Sequence, residues 1–222
     1  MRFNRTQIQA LSLGALLTCT GTLGGCAATS IAVKERLGYA KREQLVSQVQ
    51  DARDEQEEAK EQFATTLEEF KSLTGYDGGD LERVYKTLKR ELARSESAAG
   101  DVKGRIRNIE RVAGALFGEW ERELGEYDSA SLRRASEDQL YDTKERYGQL
   151  ISAMKDAESR MQPVLSAFND QVLFLKHNLN ARAIASLDRT VLELEGQVDR
   201  LIAEMNASIA EANTFIESMS AG

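Results

Sequence analysis

The sequence has little of what enzyme active sites and metal centres are built from. It contains one histidine and two cysteines in 222 residues, too few for a His-rich metal site, and one of those cysteines lies in an apolar leader. The Walker phosphate loop, the Rossmann glycine fingerprint and the Gly-x-Ser-x-Gly nucleophile turn are missing. We therefore expect no enzymatic activity, no bound metal and no cofactor.

Proline and strand-forming patterns are also scarce. The chain has one proline, and no stretch alternates apolar and polar residues with the period of two typical of β-strands. A composition rich in Ala, Glu, Lys, Leu and Arg is typical of long helices and coiled coils. The sequence therefore predicts an all-α protein.

Positive charge is in deficit. The full chain has 29 basic and 36 acidic residues, and residues 1–25 contribute only Arg2 and Arg5. Without them the balance is 27 to 36, or −9. Because nucleic acids are bound mainly by Lys and Arg that neutralise phosphates, we expect no nucleic-acid partner.

The first 25 residues have the pattern of a secretory signal peptide. Two arginines precede the short apolar run Ala10–Leu17, and small residues follow. The run is shorter than the roughly 20 residues of a membrane-spanning helix. Its end, Leu23-Gly24-Gly25-Cys26, resembles the lipobox of bacterial lipoproteins.

The lipobox resemblance implies cleavage after Gly25 and lipid on Cys26, including palmitate-type acyl chains. Several acyl chains together anchor a protein stably in a membrane. Ala27, where an inner-membrane lipoprotein would carry Asp, favours the outer membrane, with the protein facing the periplasm. The alternative is an ordinary cleaved signal peptide with its site near Ala27 and Ala28, in which Cys26 is incidental.

Apolar residues recur with heptad spacing in four segments. We expect a short linker at 26–30 and one domain over 31–222, with helices at about 31–73, 81–124, 130–176 and 181–219. Nearly equal helices joined by short turns predict an elongated, coiled-coil-like antiparallel four-helix bundle. A bend is expected at Pro163, and a kink or a close helix approach near Gly100.

Several blocks carry a family resemblance. They are Gln62-Phe63, Gly78-Gly79-Asp80-Leu81, Glu119-Trp120-Glu121, Ser131-Leu132-Arg133-Arg134 and, above all, residues 168–187. Over residues 35–219 the chain resembles the domain of unknown function 2959 family of Gram-negative bacteria. The resemblance implies an all-helical, often lipoprotein-like periplasmic protein with no established activity, and it carries over no catalytic residue.

One polar cluster is a candidate contact site. Lys176, His177, Asn178, Asn180 and Arg182 fall at the predicted turn before the last helix, where cations and amides near a helix start can bind an anion or a carboxylate. The alternative is that they cap helices and pair with Asp77, Asp80 or Glu82.

Three kinds of function remain open. The first is a structural or adaptor lipoprotein that contacts an envelope protein or the cell wall. The second is a module that holds a small ligand in the bundle or at the end formed by residues 74–80 and 176–182. Polar seam positions leave slight room for such a ligand, although they commonly fix helix alignment instead; they are Gln56, Thr66, Ser95, Thr143 and Ser208. The third is self-association into a homo-oligomer.

Overall fold

The computed structural model describes the backbone of residues 25–72, 81–178 and 181–220, and the side chains of 40–72, 81–178 and 190–220. These ranges contain four helices and no strand. The helices are α1 (Gly25–Lys71), α2 (Leu81–Leu124), α3 (Ala130–His177) and α4 (Ala181–Ser220). The all-α prediction is confirmed. The leader before residue 25 and the whole of the 74–80 turn lie outside the described residues.

The start of α1 corrects one expectation. Residues 26–30, expected as a linker, are helical because α1 begins at Gly25. Ala27 and Ala28 are strong helix formers, and no proline or glycine follows Gly25 until Gly38. Nothing in this stretch therefore opposes helix formation.

The chain divides into two compact units, Met1–Arg36 and Leu37–Gly222. In the first, the described residues are the helical segment 25–36. The second contains the remainder of α1 together with α2, α3 and α4. The division falls within α1.

In the second unit α1 lies antiparallel to both α2 and α4. Towards α2, Lys41 bonds to Glu119 and Gln62 to Glu91, so partner numbers fall as α1 numbers rise. Towards α4, Arg42 donates to the Met219 carbonyl and Lys71 to Glu195. Each neighbour therefore runs opposite to α1.

The other contacts close the ring of helices. Lys103 pairs with Glu158 and Trp120 Nε1 donates to Ser136 between α2 and α3. Arg160 bonds to Glu204 between α3 and α4. The second unit is thus an antiparallel four-helix bundle, as the heptad spacing predicted.

The heptad seams form the buried core. Phe63 and Phe70 of α1 stack on Phe168 of α3, with ring centroids 6.3 Å and 5.2 Å apart, and all three rings are fully buried. Leu132 is an exception, because it was expected in the seam of α3 but is 60% exposed. Gln139 and Met219 line one surface cavity, so α3 residues before 139 run past the end of α4 and lack its cover.

Neither the kink or close approach expected near Gly100 nor the bend expected at Pro163 interrupts its helix. α2 continues through Gly100, and α3 continues through Pro163. An added Cβ at Gly100 would meet no atom within 4 Å, so a close approach of another helix in this chain does not require the glycine. The bend at Pro163 stays a prediction.

Candidate functional site

Cys26, the predicted lipidation site, lies in the first turn of α1. Its side chain is outside the described residues, so lipidation stays a prediction. Among the described residues, no helix is long and apolar enough to cross a membrane.

The residues of the predicted polar cluster have different roles at the end of α3. Lys176 and His177 are exposed in the last turn, where the positive charge of Lys176 compensates the helix dipole. Asn178 is the C-cap: its backbone N–H donates to the Leu175 carbonyl at 3.2 Å, and Nδ2 donates to the Phe174 carbonyl at 3.0 Å. The Asn178 amide group is therefore used to end the helix.

The remaining members of the cluster are less fully described. Asn180 lies outside the described residues, and Arg182 belongs to α4 but its side chain is not described. Glu82, one expected partner across this end, pairs with Lys86 at 2.7 Å within α2. Asp77 and Asp80 also lie outside the described residues. The anion site stays a prediction, and Asn178 follows the capping alternative.

An open groove follows the α2–α3 interface towards Lys176. Its central part is a cavity of about 420 Å³ beside Ala99 and Gly100. A second cavity of about 280 Å³ shares Glu96 and Asn169 with the first and reaches Lys176. Small residues on α2 open this groove, because they leave the space between two long helices unfilled.

Two large apolar side chains remain exposed beside this groove. Leu173 is 49% exposed and Phe174 is 41% exposed. Leu173 also lines the second cavity, and it shares a helix face with Lys176 and His177, three and four residues later. An apolar contact surface, a lysine and a histidine thus meet at the end of α3, which we call the Lys176 end.

Polar side chains form a layer between α1 and α2. The Thr66 and Ser95 hydroxyls are 2.9 Å apart and fully buried. Gln62 Nε2 donates to both Thr66 Oγ1 and Glu91 Oε2. The layer satisfies its own hydrogen bonds, so it leaves no polar group there to hold a ligand.

Glu91 is the charged member of this layer and is 4% exposed. Burial acts to raise its carboxyl pKa, but hydrogen bonds from Gln62 and Arg90 and the charge of Arg94 outweigh that effect. The pKa therefore lies below its ordinary value of 4.5. The carboxylate is ionised at neutral pH and acts as a structural anchor for two exposed arginines.

The other polar seam positions are also occupied by internal bonds. Ser208 donates to Gln56 Oε1 at 2.9 Å between α4 and α1, and Thr143 donates to the Gln139 carbonyl in its own helix. Gln56 Nε2 is buried without a partner. Elsewhere in the described part of the chain, no group of three or more His, Cys, Asp or Glu side chains is placed to hold a metal ion.

Comparison with known proteins gives a family but no activity. The family model described as "Protein of unknown function (DUF2959)" matches residues 31–219. The chain belongs to this family. Neither the search of curated proteins nor the search of solved structures found a match.

Two features of this DUF2959 protein were missed by the sequence patterns. Glu91 lies beside the seam residues Leu88 and Leu92. Its position in the heptad pattern does not distinguish it from an exposed glutamate. The groove depends on the distance between two helices, and this distance cannot be read from a single sequence. The small residues Ala99 and Gly100 were the available signal, and they were interpreted as a kink or a close approach.

Proposed function

We propose that this protein is a lipoprotein held in the outer membrane by lipid on Cys26, where it faces the periplasm and acts as a structural or adaptor protein. The anchor is supported by the apolar leader and by Leu23-Gly24-Gly25-Cys26. In this role, the helical bundle presents a contact surface to another envelope protein or to the cell wall.

The Lys176 end is the observation that carries the adaptor role. Leu173 and Phe174 leave large apolar groups in water, and such groups cost free energy unless a partner covers them. Lys176 beside them adds a positive charge that can orient a partner carboxylate. Apolar contact with a charged rim is typical of protein-contact surfaces.

Site-specific photocrosslinking tests this contact. A photoreactive residue at Leu173, introduced into the full chain in cells, should give a defined crosslinked product. The same residue at Tyr141, which is 69% exposed, is the matched control and should not. Lys176→Ala with Phe174→Ser should remove the product and leave the helical circular dichroism unchanged. Equal crosslinking at both positions would contradict the adaptor role of this end.

The anchor is tested separately. The wild-type chain should incorporate a labelled fatty acid and fractionate with membranes, whereas Cys26→Ser should be unlabelled and soluble. Identical behaviour of the two proteins would show that Leu23–Cys26 is not a lipobox.

A small-ligand module is the second candidate, and the cavity beside Gly100 favours it. A volume of about 420 Å³ lies within the range of small-molecule sites. A ligand bound there should raise the melting temperature of the wild-type protein, whereas Ala99→Leu should fill the cavity and abolish the shift. An equal shift in the Ala99→Leu variant would place the ligand elsewhere.

A further inference from the structure

Ion pairs join α2 to α3 at two matched levels of the bundle. Glu121 pairs with Lys144, and Glu110 pairs with Lys155. Glu110 lies eleven residues before Glu121, and Lys155 lies eleven residues after Lys144, as expected for antiparallel helices that keep one alignment. At each of these levels, a carboxylate of α2 therefore meets an ammonium group of α3.

The same alignment brings two lysines together at the Lys176 end. Fourteen residues further along each helix, Glu96 lies opposite Asn169, and seven residues beyond that, Lys89 lies opposite Lys176. All four of these residues line the cavity of about 280 Å³. The series of oppositely charged pairs thus ends in a pair of like charge.

The two lysines have no hydrogen-bond or ion-pair partner among the described residues. Glu96, the carboxylate in the same cavity, lies about 10 Å away from Lys89 along the axis of α2 and forms no ion pair with either lysine in the described part of the chain. The chain has 36 acidic and 29 basic residues, so carboxylates are not scarce. The two ammonium groups therefore repel each other across the cavity without a counter-charge between them.

Apolar surface lies beside the two lysines. Leu92 and Val172 are buried where they line this cavity, and Leu173 is 49% exposed. Ala93, an exposed residue on the α2 side, has a side chain too short to cover its neighbours. A ligand that reaches both ammonium groups therefore also meets an apolar surface.

We propose that Lys89 and Lys176 bind a carboxylate of an envelope protein, presented on a segment whose neighbouring side chains are apolar. The carboxylate lies between the ammonium groups and replaces their repulsion by charge-assisted hydrogen bonds. The apolar neighbours cover Leu173, giving the apolar contact with a charged rim that is typical of protein interfaces. This site rests on the adaptor role proposed above and names the chemistry that the partner presents.

Melting of the free protein tests whether the lysines face each other. In the full chain in mild detergent, Lys89→Glu places a carboxylate opposite Lys176 and should raise the melting temperature by about 1–4 °C. Adding Lys176→Glu should remove this gain, because like charges then face each other again. The matched control Lys155→Glu places two carboxylates opposite each other and should lower the melting temperature. A Lys89→Glu variant that melts no higher than the wild type would overturn the proposed site.

Photocrosslinking from inside the groove tests the ligand. A photoreactive residue at Ala93 of the full chain in cells should crosslink to a protein segment that contains Asp or Glu beside apolar residues, as identified by mass spectrometry. The same residue at Ala115, exposed elsewhere on α2, should give no such product. Lys89→Glu should lower the yield about tenfold, because repulsion replaces attraction, whereas Lys155→Glu should leave the yield unchanged.

Charge exchange tests the contact itself. Replacing the identified carboxylate residue of the partner by Lys should abolish the product with the wild-type chain. Lys89→Glu together with Lys176→Glu should then restore it. A failure to restore the product, a yield unaffected by Lys89→Glu, or a crosslinked segment without a carboxylate would overturn the proposal. A product that joins two copies of this chain, or this chain to cell-wall peptide, would also overturn it.

Crosslinking at two positions separates this site from the adaptor role. A product from Leu173 without one from Ala93 would overturn the lysine site and leave the adaptor role intact. The absence of a product from both positions would overturn the adaptor role and the lysine site together.

Discussion

Thr66 Oγ1 and Ser95 Oγ lie 2.9 Å apart at a contact with no exposed surface on either residue. This pair joins α1 to α2 at a position where the heptad pattern would otherwise place aliphatic groups. Thr66 Oγ1 also accepts from Gln62 Nε2 at 3.1 Å. The hydroxyls are thus part of a bonded layer rather than isolated polar defects.

Thr66→Val should destabilise the protein by about 1–3 kcal/mol, because it leaves the buried Ser95 hydroxyl without its partner. Adding Ser95→Ala should recover part of this loss, since the orphaned hydroxyl is then removed as well. Urea unfolding of the two single variants and the double variant measures the coupling. The control is Thr214→Val, at an exposed position of α4. Strictly additive losses would argue against the pair.

Glu91 should make stability dependent on pH at the acid end. Its folded pKa lies below the ordinary value of 4.5, so its stabilising contribution is fully present above that value. The contribution is lost as pH falls from about 4.5 through the folded pKa. Glu91→Gln should cost about 1 kcal/mol at pH 7, because Arg90 and Arg94 are more than half exposed and solvent weakens the pairing.

The measurement is urea unfolding of both proteins at pH 7 and at successive lower pH values. The free-energy gap between wild type and Glu91→Gln should narrow below pH 4.5. A gap of constant size would mean that the Glu91 charge contributes nothing.

Gly104→Ala and Gly148→Ala should each stabilise the bundle by about 0.5–1 kcal/mol. Both glycines are in helix interiors, and an added Cβ at either meets no atom within 4 Å. Alanine reduces the conformational entropy of the unfolded chain and favours the helix. Thermal melts should show the gain at each site and near-additivity in the double variant. Lower melting temperatures would reveal a contact that the isolated chain does not make.

Phe168→Ala should be the most damaging of these substitutions, at about 3–5 kcal/mol. Its ring stacks between those of Phe63 and Phe70 and has no exposed surface. Phe174→Ala, six residues later and 41% exposed, is the control and should cost under about 1 kcal/mol. Similar losses of unfolding free energy for Phe168→Ala and Phe174→Ala would contradict the placement of Phe168 in the core.

The sequence was informative where one periodic pattern decides the outcome. The spacing from Val191 to Met219 predicted the buried face of α4, because residues three and four apart share a helix face. Leu132 was placed in the α3 seam although it lies eight residues before Leu140, one residue out of the three-and-four spacing, and it is 60% exposed. Periodicity alone cannot report where neighbours end.

The candidate site was less predictable for a related reason. Lys176, His177 and Asn178 could be placed at a helix end from their order in the chain. The exposure of Leu173 and Phe174 could not be predicted, because it depends on which neighbouring side chains cover them in the folded bundle. Glu91 was missed because its burial is made possible by Gln62, which lies 29 residues away.

The two buried polar pairs also penalise incorrect alignments of the bundle. Thr66–Ser95 connects α1 to α2, and Gln56–Ser208 connects α1 to α4. If α1 slid by one heptad, Ala59 or Leu73 would replace Thr66 opposite Ser95, while Val49 or Phe63 would replace Gln56 opposite Ser208. Both serines would then be buried without partners, although the apolar seam would still fit. Bundles with a slipped or exchanged helix are therefore disfavoured, although the heptad spacing of these helices is nearly repetitive. The hydroxyl groups that disfavour them would be absent from an entirely apolar core.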